Sequence, residues 1–270
     1  MGAFLRRPSL LSKLCLIGLF FASSFHPRSA PCNEGAFFTQ PITAEPKSLW
    51  IDTDPAIGLI GRDVDDAFAL LHLLSKKPHL ISGISVVYGN TSNREHQIKV
   101  LQKIFEKLSY NDSITYYLGA KSPKDLSKEN QAVKALGESL EEAKRHGSKK
   151  TILALGPLTN IATVLKKRPD LADWVRELIL IGGQHEDNAV EYGKLGLQLP
   201  DLNIDLDPKA FEWIFQQPIP LTLVPQELTY QLAFTETDLK RINGEHPLHP
   251  WLIQHSQRWL WVWQLGLWRK

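Results

Sequence analysis

Cysteine, net charge and bilayer-length apolar runs are all scarce in this chain, and each shortage removes a class of function. Only Cys15 and Cys32 occur in 270 residues, so no disulfide framework can form if the first lies in a removed leader. The formal net charge is +2 with 22% charged residues, a balance that points neither to nucleic acid nor to an acidic partner. Lys144, Arg145, Lys149 and Lys150, and later Lys166, Lys167 and Arg168, are local basic clusters near predicted helix ends, where cations complement the helix dipole. The apolar run Leu14 to Ala22 is shorter than the roughly 20 residues of a spanning helix. No internal repeat is present. The length suits one large α/β domain, or two small ones, with a substantial core.

What is present begins with a leader. Arg6, Arg7 and Lys13 precede the run Leu14 to Ala22, and small Ser23 and Ser24 follow, the pattern of a secretory signal peptide. Residues 1–25 are therefore expected to be a signal peptide or N-terminal anchor, 26–47 a proline-containing linker, and 48–270 the folded domain. Export to the periplasm or the cell exterior follows, with anchoring by an uncleaved leader as the alternative and no stable membrane span after cleavage. Arg28-Ser29-Ala30-Pro31 before Cys32 is a poor lipoprotein box.

The domain is organised around residues 49–71. Leu49-Trp50-Ile51-Asp52-Thr53-Asp54-Pro55 reads as a buried strand that delivers two acids at its carboxyl edge, because Pro55 cannot continue a ladder. After a loop with Gly58 and Gly61, Asp63 is placed to cap a helix with Ala67, Phe68, Leu70, Leu71 and Leu74 at helical spacing. Asp65 and Asp66 then fall in its first turn. Acids converging there repel one another unless a hard cation or helix-end amides offset the charge, so a divalent-metal site is expected. Capping and solubility alone are the plainer account of such acids.

Further on, strands are expected at Leu80 to Val87, Ile114 to Leu118, Thr151 to Leu155 and Glu177 to Ile181. They alternate with helices over Ser92 to Leu108, Gln131 to Arg145 and Leu158 to Lys167. Such alternation implies right-handed crossovers and a mainly parallel sheet. The expected class is α/β, a single domain with a Rossmann-like sheet flanked by helices. Ligands of open parallel sheets bind beyond the carboxyl ends of the strands, which puts Asp52, Asp54, Asn90, Leu155 and Gly182 on one rim.

At these residues the chain resembles a known family. Asp52-x-Asp54-Pro with Asp65-Asp66-Ala is similar to the amino-terminal signature of the inosine/uridine-preferring nucleoside hydrolases, with a longer link between the acid pairs. Gly83 to Asn90, Leu153 to Ala162, Leu178 to Gly183 and Leu202 to Ala210 extend the resemblance. It implies hydrolysis of the N-glycosidic bond of ribonucleosides to free base and ribose. In that reading Asp54, Asp66 and the Leu155 carbonyl bind Ca²⁺, and Asp54 takes a proton from the bound water. Asp65, Asn90, Asp201 and Asn203 grip the ribose, and Asp52 supports the ligands. Asp201 stands where the family has the longer glutamate.

The resemblance also implies partners: a small-molecule nucleoside, no nucleic acid, and a homo-oligomeric state left open. The family continues to a His-Asp pair that is not found before Lys270. The expectation is a member lacking its carboxyl-terminal end, with one metal ligand missing. A catalytically weak or inactive nucleoside-binding remnant is the alternative reading, and a phosphatase of the haloacid-dehalogenase type is a remoter one. His246-x-x-His249 is read as a loop feature between prolines and not as a metal pair. Trp251, Trp259, Trp261, Trp263 and Trp268 lie in a terminal helix that is apolar nearly all round, which should be buried between neighbours.

Overall fold

Strand β1, Leu49–Thr53, is buried at every position, so its backbone and its polar side chains must be satisfied from inside the sheet. It lies at the centre. The computed structural model of the chain describes residues 47–109, 114–185, 191–192, 197–198, 200–231, 235–242 and 246–264. The expected leader and nearly all of the expected linker lie outside them.

β1 pairs in parallel with β2 (Ile81–Val86) on one side and with β4 (Lys150–Ala154) on the other. β3 (Tyr116–Leu118) extends the first side, and β5 (Val175–Ile181) and β8 (Leu221–Val224) extend the second. The sheet order is β3-β2-β1-β4-β5-β8, all parallel. The chain walks outward from β1 to β3 and then returns past β1 to build the other half. That reversal leaves a crevice at the carboxyl ends of β1 and β4, the usual ligand position in open sheets. β6 (Glu191–Tyr192) and β7 (Leu197–Gln198) form a separate antiparallel pair.

The first four sheet crossovers are made by α1 (Asp65–Lys76), α2 (Arg94–Lys107), α3 (Gln131–His146) and α4 (Thr159–Lys167). α3 shows how the sequence sets such a helix. Asn130 caps it by accepting from Val133 N at 2.9 Å, and Gly147, at φ 65°, ends it in the left-handed region. Its Ala132, Val133, Leu136, Leu140 and Ala143 face the core. Burial of each leucine contributes about 1.5–3 kcal/mol.

Trp50 anchors the same core: its ring stacks on Tyr117 at 5.8 Å and its Nε1 donates to Ser85 Oγ at 2.8 Å. The ring lies across Gly83, where a Cβ would collide with it. Thus the glycine inside β2 makes room for the tryptophan of β1.

α5 (Leu202–Leu206) and α6 (Pro208–Phe215) lie in the crossover from β5 to β8, and α7 (Gln226–Gln231), α8 (Glu236–Lys240) and α9 (His249–Gln264) follow β8. Most observed boundaries fall within one or two residues of those expected, as is usual where helix ends fray. α9 departs from expectation in its burial. Leu252, Ser256 and Val262 are buried, while Trp261 remains 60% exposed. The helix therefore packs by one stripe.

Candidate active site

β1 ends at Thr53, and the next residue, Asp54, emerges at the switch in strand order, 2% exposed. Its Oδ2 accepts from Asn90 N at 2.5 Å. Two glycines let the chain close around it: a Cβ at Gly89 would collide with Asp54 Oδ2, and one at Gly156 would lie 3.1 Å from Asp54 Cγ. Gly89 follows β2 and Gly156 follows β4, so both neighbouring strands approach Asp54 by bare backbone.

Asp66 joins it from the first turn of α1. Its Oδ1 accepts from Asp54 N at 3.1 Å and from Thr53 Oγ1. Burial raises its pKa to about 7, with the charge of Asp65 adding to the effect. Asp54 is raised well above the usual carboxylate range, first by burial and then by Asp66. Asp65 and Asp63, both acidic, also push it up. Among the described residues the pair is met by amide and hydroxyl donors.

Asp65 is exposed at the rim, and its Oδ1 accepts from Asp66 N at 3.0 Å. Asp63 does not cap α1 as the sequence suggested. The helix begins at Asp65, Val64 occupies the capping position without a side-chain bond, and Asp63 Oδ1 instead accepts from Trp259 Nε1 at 3.1 Å. The longer loop carries Asp63 away from the helix axis toward α9.

Asp52 lies one layer deeper and is fully buried. Its Oδ1 accepts from Asn160 Nδ2 at 2.9 Å and from Ser85 Oγ, while Oδ2 has no hydrogen-bond partner among the described residues. Burial raises its pKa to about 7 against those two bonds. Asn160 also accepts from Ala120 N at 2.8 Å, so one amide ties β1 to the loop after β3. Sequence reading gave Asn160 no role. Its signal was there, a polar residue two places into the Pro157-Leu158-Thr159-Asn160 turn and fully buried in the fold.

On the β5 side the expected ribose ligands meet local backbone. Asp201 Oδ1 accepts from Ile204 N and its Oδ2 from Gly183 N, each at 2.8 Å, so it caps α5 and ties the loop after β5. Asn203 Nδ2 donates to Leu155 O and to Ile181 O, both at 2.9 Å. Leu155 O, expected to ligate metal, is therefore engaged by the side chain expected to hold sugar. Asn90 is nearer the acids, and its Oδ1 accepts from Asp63 N at 3.1 Å. An open cleft of about 500 Å³ adjoins them, lined by Arg62, Tyr88, Gly89, Thr91, Ser92, Leu202 and Leu206.

His246 lies in a bend, while His249 opens α9 and is not in the loop the sequence suggested. The ring Nδ1 of His246 accepts from Leu248 N at 3.2 Å, and that of His249 from His246 N at 3.3 Å.

The family model described as inosine-uridine preferring nucleoside hydrolase matches residues 49–263. The chain belongs to that family. Uridine nucleosidase 1 of Arabidopsis thaliana is 27% identical over 248 residues, a match that takes in 82% of this chain and 68% of that protein. The pyrimidine-specific ribonucleoside hydrolase RihA of Shewanella oneidensis is 29% identical over 114 residues. That match takes in 42% of this chain and only 34% of RihA. Among solved structures, the plant nucleoside hydrolase PpNRh1 superposes with a TM-score of 0.62 at 24% identity. It covers 79% of this chain and 71% of its own, and at that identity it speaks for the nucleoside hydrolase fold alone. Within this fold Asp52, Asp54, Asp66 and Asn90 of the nucleoside hydrolase chain come together, and Asp201 and Asn203 sit across the β4–β5 side of the crevice.

Proposed function

We propose that the chain hydrolyses the N-glycosidic bond of ribonucleosides, with Asp54 as general base and Asp54 and Asp66 as carboxylate ligands of Ca²⁺. One observation carries this reading. Two buried carboxylates adjoin at the switch point, and the charges of Asp66, Asp65 and Asp63 all bear on Asp54. Such charge is costly without a counter-ion, and a donor set made of carboxylate, hydroxyl and carbonyl oxygen suits a hard cation. Among the described residues no three His, Cys, Asp or Glu side chains are grouped as a metal site. Further positions would fall to Leu155 O, once Asn203 turns to substrate, and to water or sugar hydroxyls. Bound calcium would supply the charge that acidifies a water beside Asp54.

The chain's own groups supply the rest. Asn90 N fixes one oxygen of Asp54 and leaves the other for proton transfer. In this reading Asp65, exposed at the rim, takes a sugar hydroxyl, and Asn90 and Asn203 supply amides to the ribose. Negative carboxylates around the crevice stabilise the positive charge that develops on the sugar as the bond breaks. The substrate class follows from the family and from the names of the relatives, which act on uridine and other ribonucleosides.

A second reading, a nucleoside-binding protein with weak or no turnover, is favoured by Asp201 and Asn203, whose polar atoms already bond to backbone. Incubation with uridine, inosine and a phosphate monoester, with Ca²⁺ or with chelator, separates the readings. Calcium-dependent release of free base supports the first, calorimetric binding of nucleoside without release supports the second, and release of phosphate overturns both.

A further inference from the structure

The hydrogen bonds around the acids continue out of the site to the last described helix. Trp259 Nε1 donates to Asp63 Oδ1 at 3.1 Å, and Asp63 N donates to Asn90 Oδ1 at 3.1 Å. Asn90 N then donates to Asp54 Oδ2 at 2.5 Å, and Asp54 N to Asp66 Oδ1 at 3.1 Å. Consecutive partners are 196, 27, 36 and 12 positions apart in sequence, so every bond joins a different segment. One turn before Trp259 on α9 stands His255. A Cβ on Gly58 would lie 3.5 Å from His255 Cε1 and 3.4 Å from His96 Cε1. The middle of α9 therefore lies against the loop between β1 and α1 at Gly58 and at Asp63.

We propose that Trp259 is a positioning residue, which sets the Asp54 carboxylate through Asp63 and Asn90. The proposal rests on the reading of Asp54 as base. A carboxyl torsion has broad, shallow wells, so Asp54 is oriented by what its oxygens bond to. Among the described residues the backbone donor to Oδ2 is Asn90 N. That donor is itself held by the Asn90 side chain on Asp63 N, and Asp63 is in turn held by the indole. The loop between the acid pairs calls for such a hold, because with Gly58 at φ 101° and Gly61 at φ 68° its backbone has wide conformational freedom.

The test compares Trp259→Phe, Asp63→Ala and Asp63→Asn with the parent chain. Phenylalanine keeps most of the packing and removes the donor, alanine removes the acceptor, and asparagine keeps an Oδ1 acceptor and the backbone N–H. Amide hydrogen exchange at Asp63 and Asn90 is read first, then Ca²⁺ affinity by calorimetry, then kcat and KM on uridine. W259F and D63A are each expected to speed exchange at Asn90 about tenfold and to lower kcat with little change in KM. The double variant should be no worse than either alone, as for residues acting in one chain, and D63N should keep the parent exchange rate. Unchanged exchange at Asn90 in W259F, or additive effects in the double variant, would overturn the proposal. If the parent chain releases no base, the function proposed above fails, while exchange and calcium affinity still decide the role of Trp259.

Discussion

Asp66 and Asp170 are the same residue in opposite circumstances. Asp170, on the surface, bonds to Arg168 Nε and Nη2 at 2.9 Å and to Lys144 Nζ at 3.0 Å, and Arg168 also pairs with Glu141. Those donors, Arg168 foremost, hold its carboxyl well below the usual range. Asp66 is buried among other acids and is pushed up to about 7. The first group has a cation for every acid and no crevice beside it. The second has acids beside a crevice, and the cation at its edge, Arg62, acts on Asp63. Charge that a fold neutralises is structural, and charge that it leaves unneutralised in a buried cleft is available to a ligand.

The contrast is sharpest at Asp54. Replacing it with asparagine keeps the shape and removes the base, and base release from uridine should fall on the order of 10²–10⁴-fold with the melting temperature retained. An equal loss of folding and activity would put Asp54 with the structural acids. Chelation should be nearly as damaging to base release. It should also reveal itself in the pH dependence of stability. For the metal-free chain, Asp52 and Asp66 carry folded-state values near 7 against an unfolded value of 3.8. Between those values the folded state binds more protons than the unfolded one, so stability declines as pH rises through the window and levels off above it. Thermal melts in EDTA from pH 4.5 to 8 should show that decline. Added Ca²⁺ should raise the melting temperature most at the alkaline end, and a flat profile in EDTA would remove the case for unneutralised charge.

Smaller effects test the supporting layer. Asn160→Ala should cost about 1–3 kcal/mol, because Ala120 N and Asp52 Oδ1 each lose a buried partner; chemical denaturation measures it. At the bottom of the scale, Asp170→Asn should move the melting temperature by about 2 °C or less and leave catalysis alone, as exposed ion pairs contribute little. A large loss there would erase the distinction between the two sets of acids.

Much of this was legible in the chain. The alternation of apolar runs and amphipathic helices specified the parallel sheet, because burial on both faces of β1 and β4 requires near-continuous apolar sequence. The acid pairs were visible because Pro55 and the helical spacing after Asp66 fixed where strand and helix stop. Asp63 was misread because capping is a local rule, and the competing donor, Trp259, lies 196 positions away. The bonds of Asn203 to Leu155 O and Ile181 O were equally invisible, since they depend on how α5 docks across two strand ends. Trp261 was expected inside because periodicity reports which residues are apolar, and not which stripe finds a neighbour.

The position of β1 also orders events in time. Its two neighbours in the sheet are β2, about 30 residues downstream, and β4, about 100 residues downstream, and Asn160, which steadies Asp52, comes later still. A nascent chain therefore carries its acids from the start but cannot seat them until β4 and the turn beyond it have been synthesised. At about 5–20 residues per second, the carboxylates wait several seconds in water, where ionisation costs them little. The molecule makes its charged crevice only when the last wall arrives.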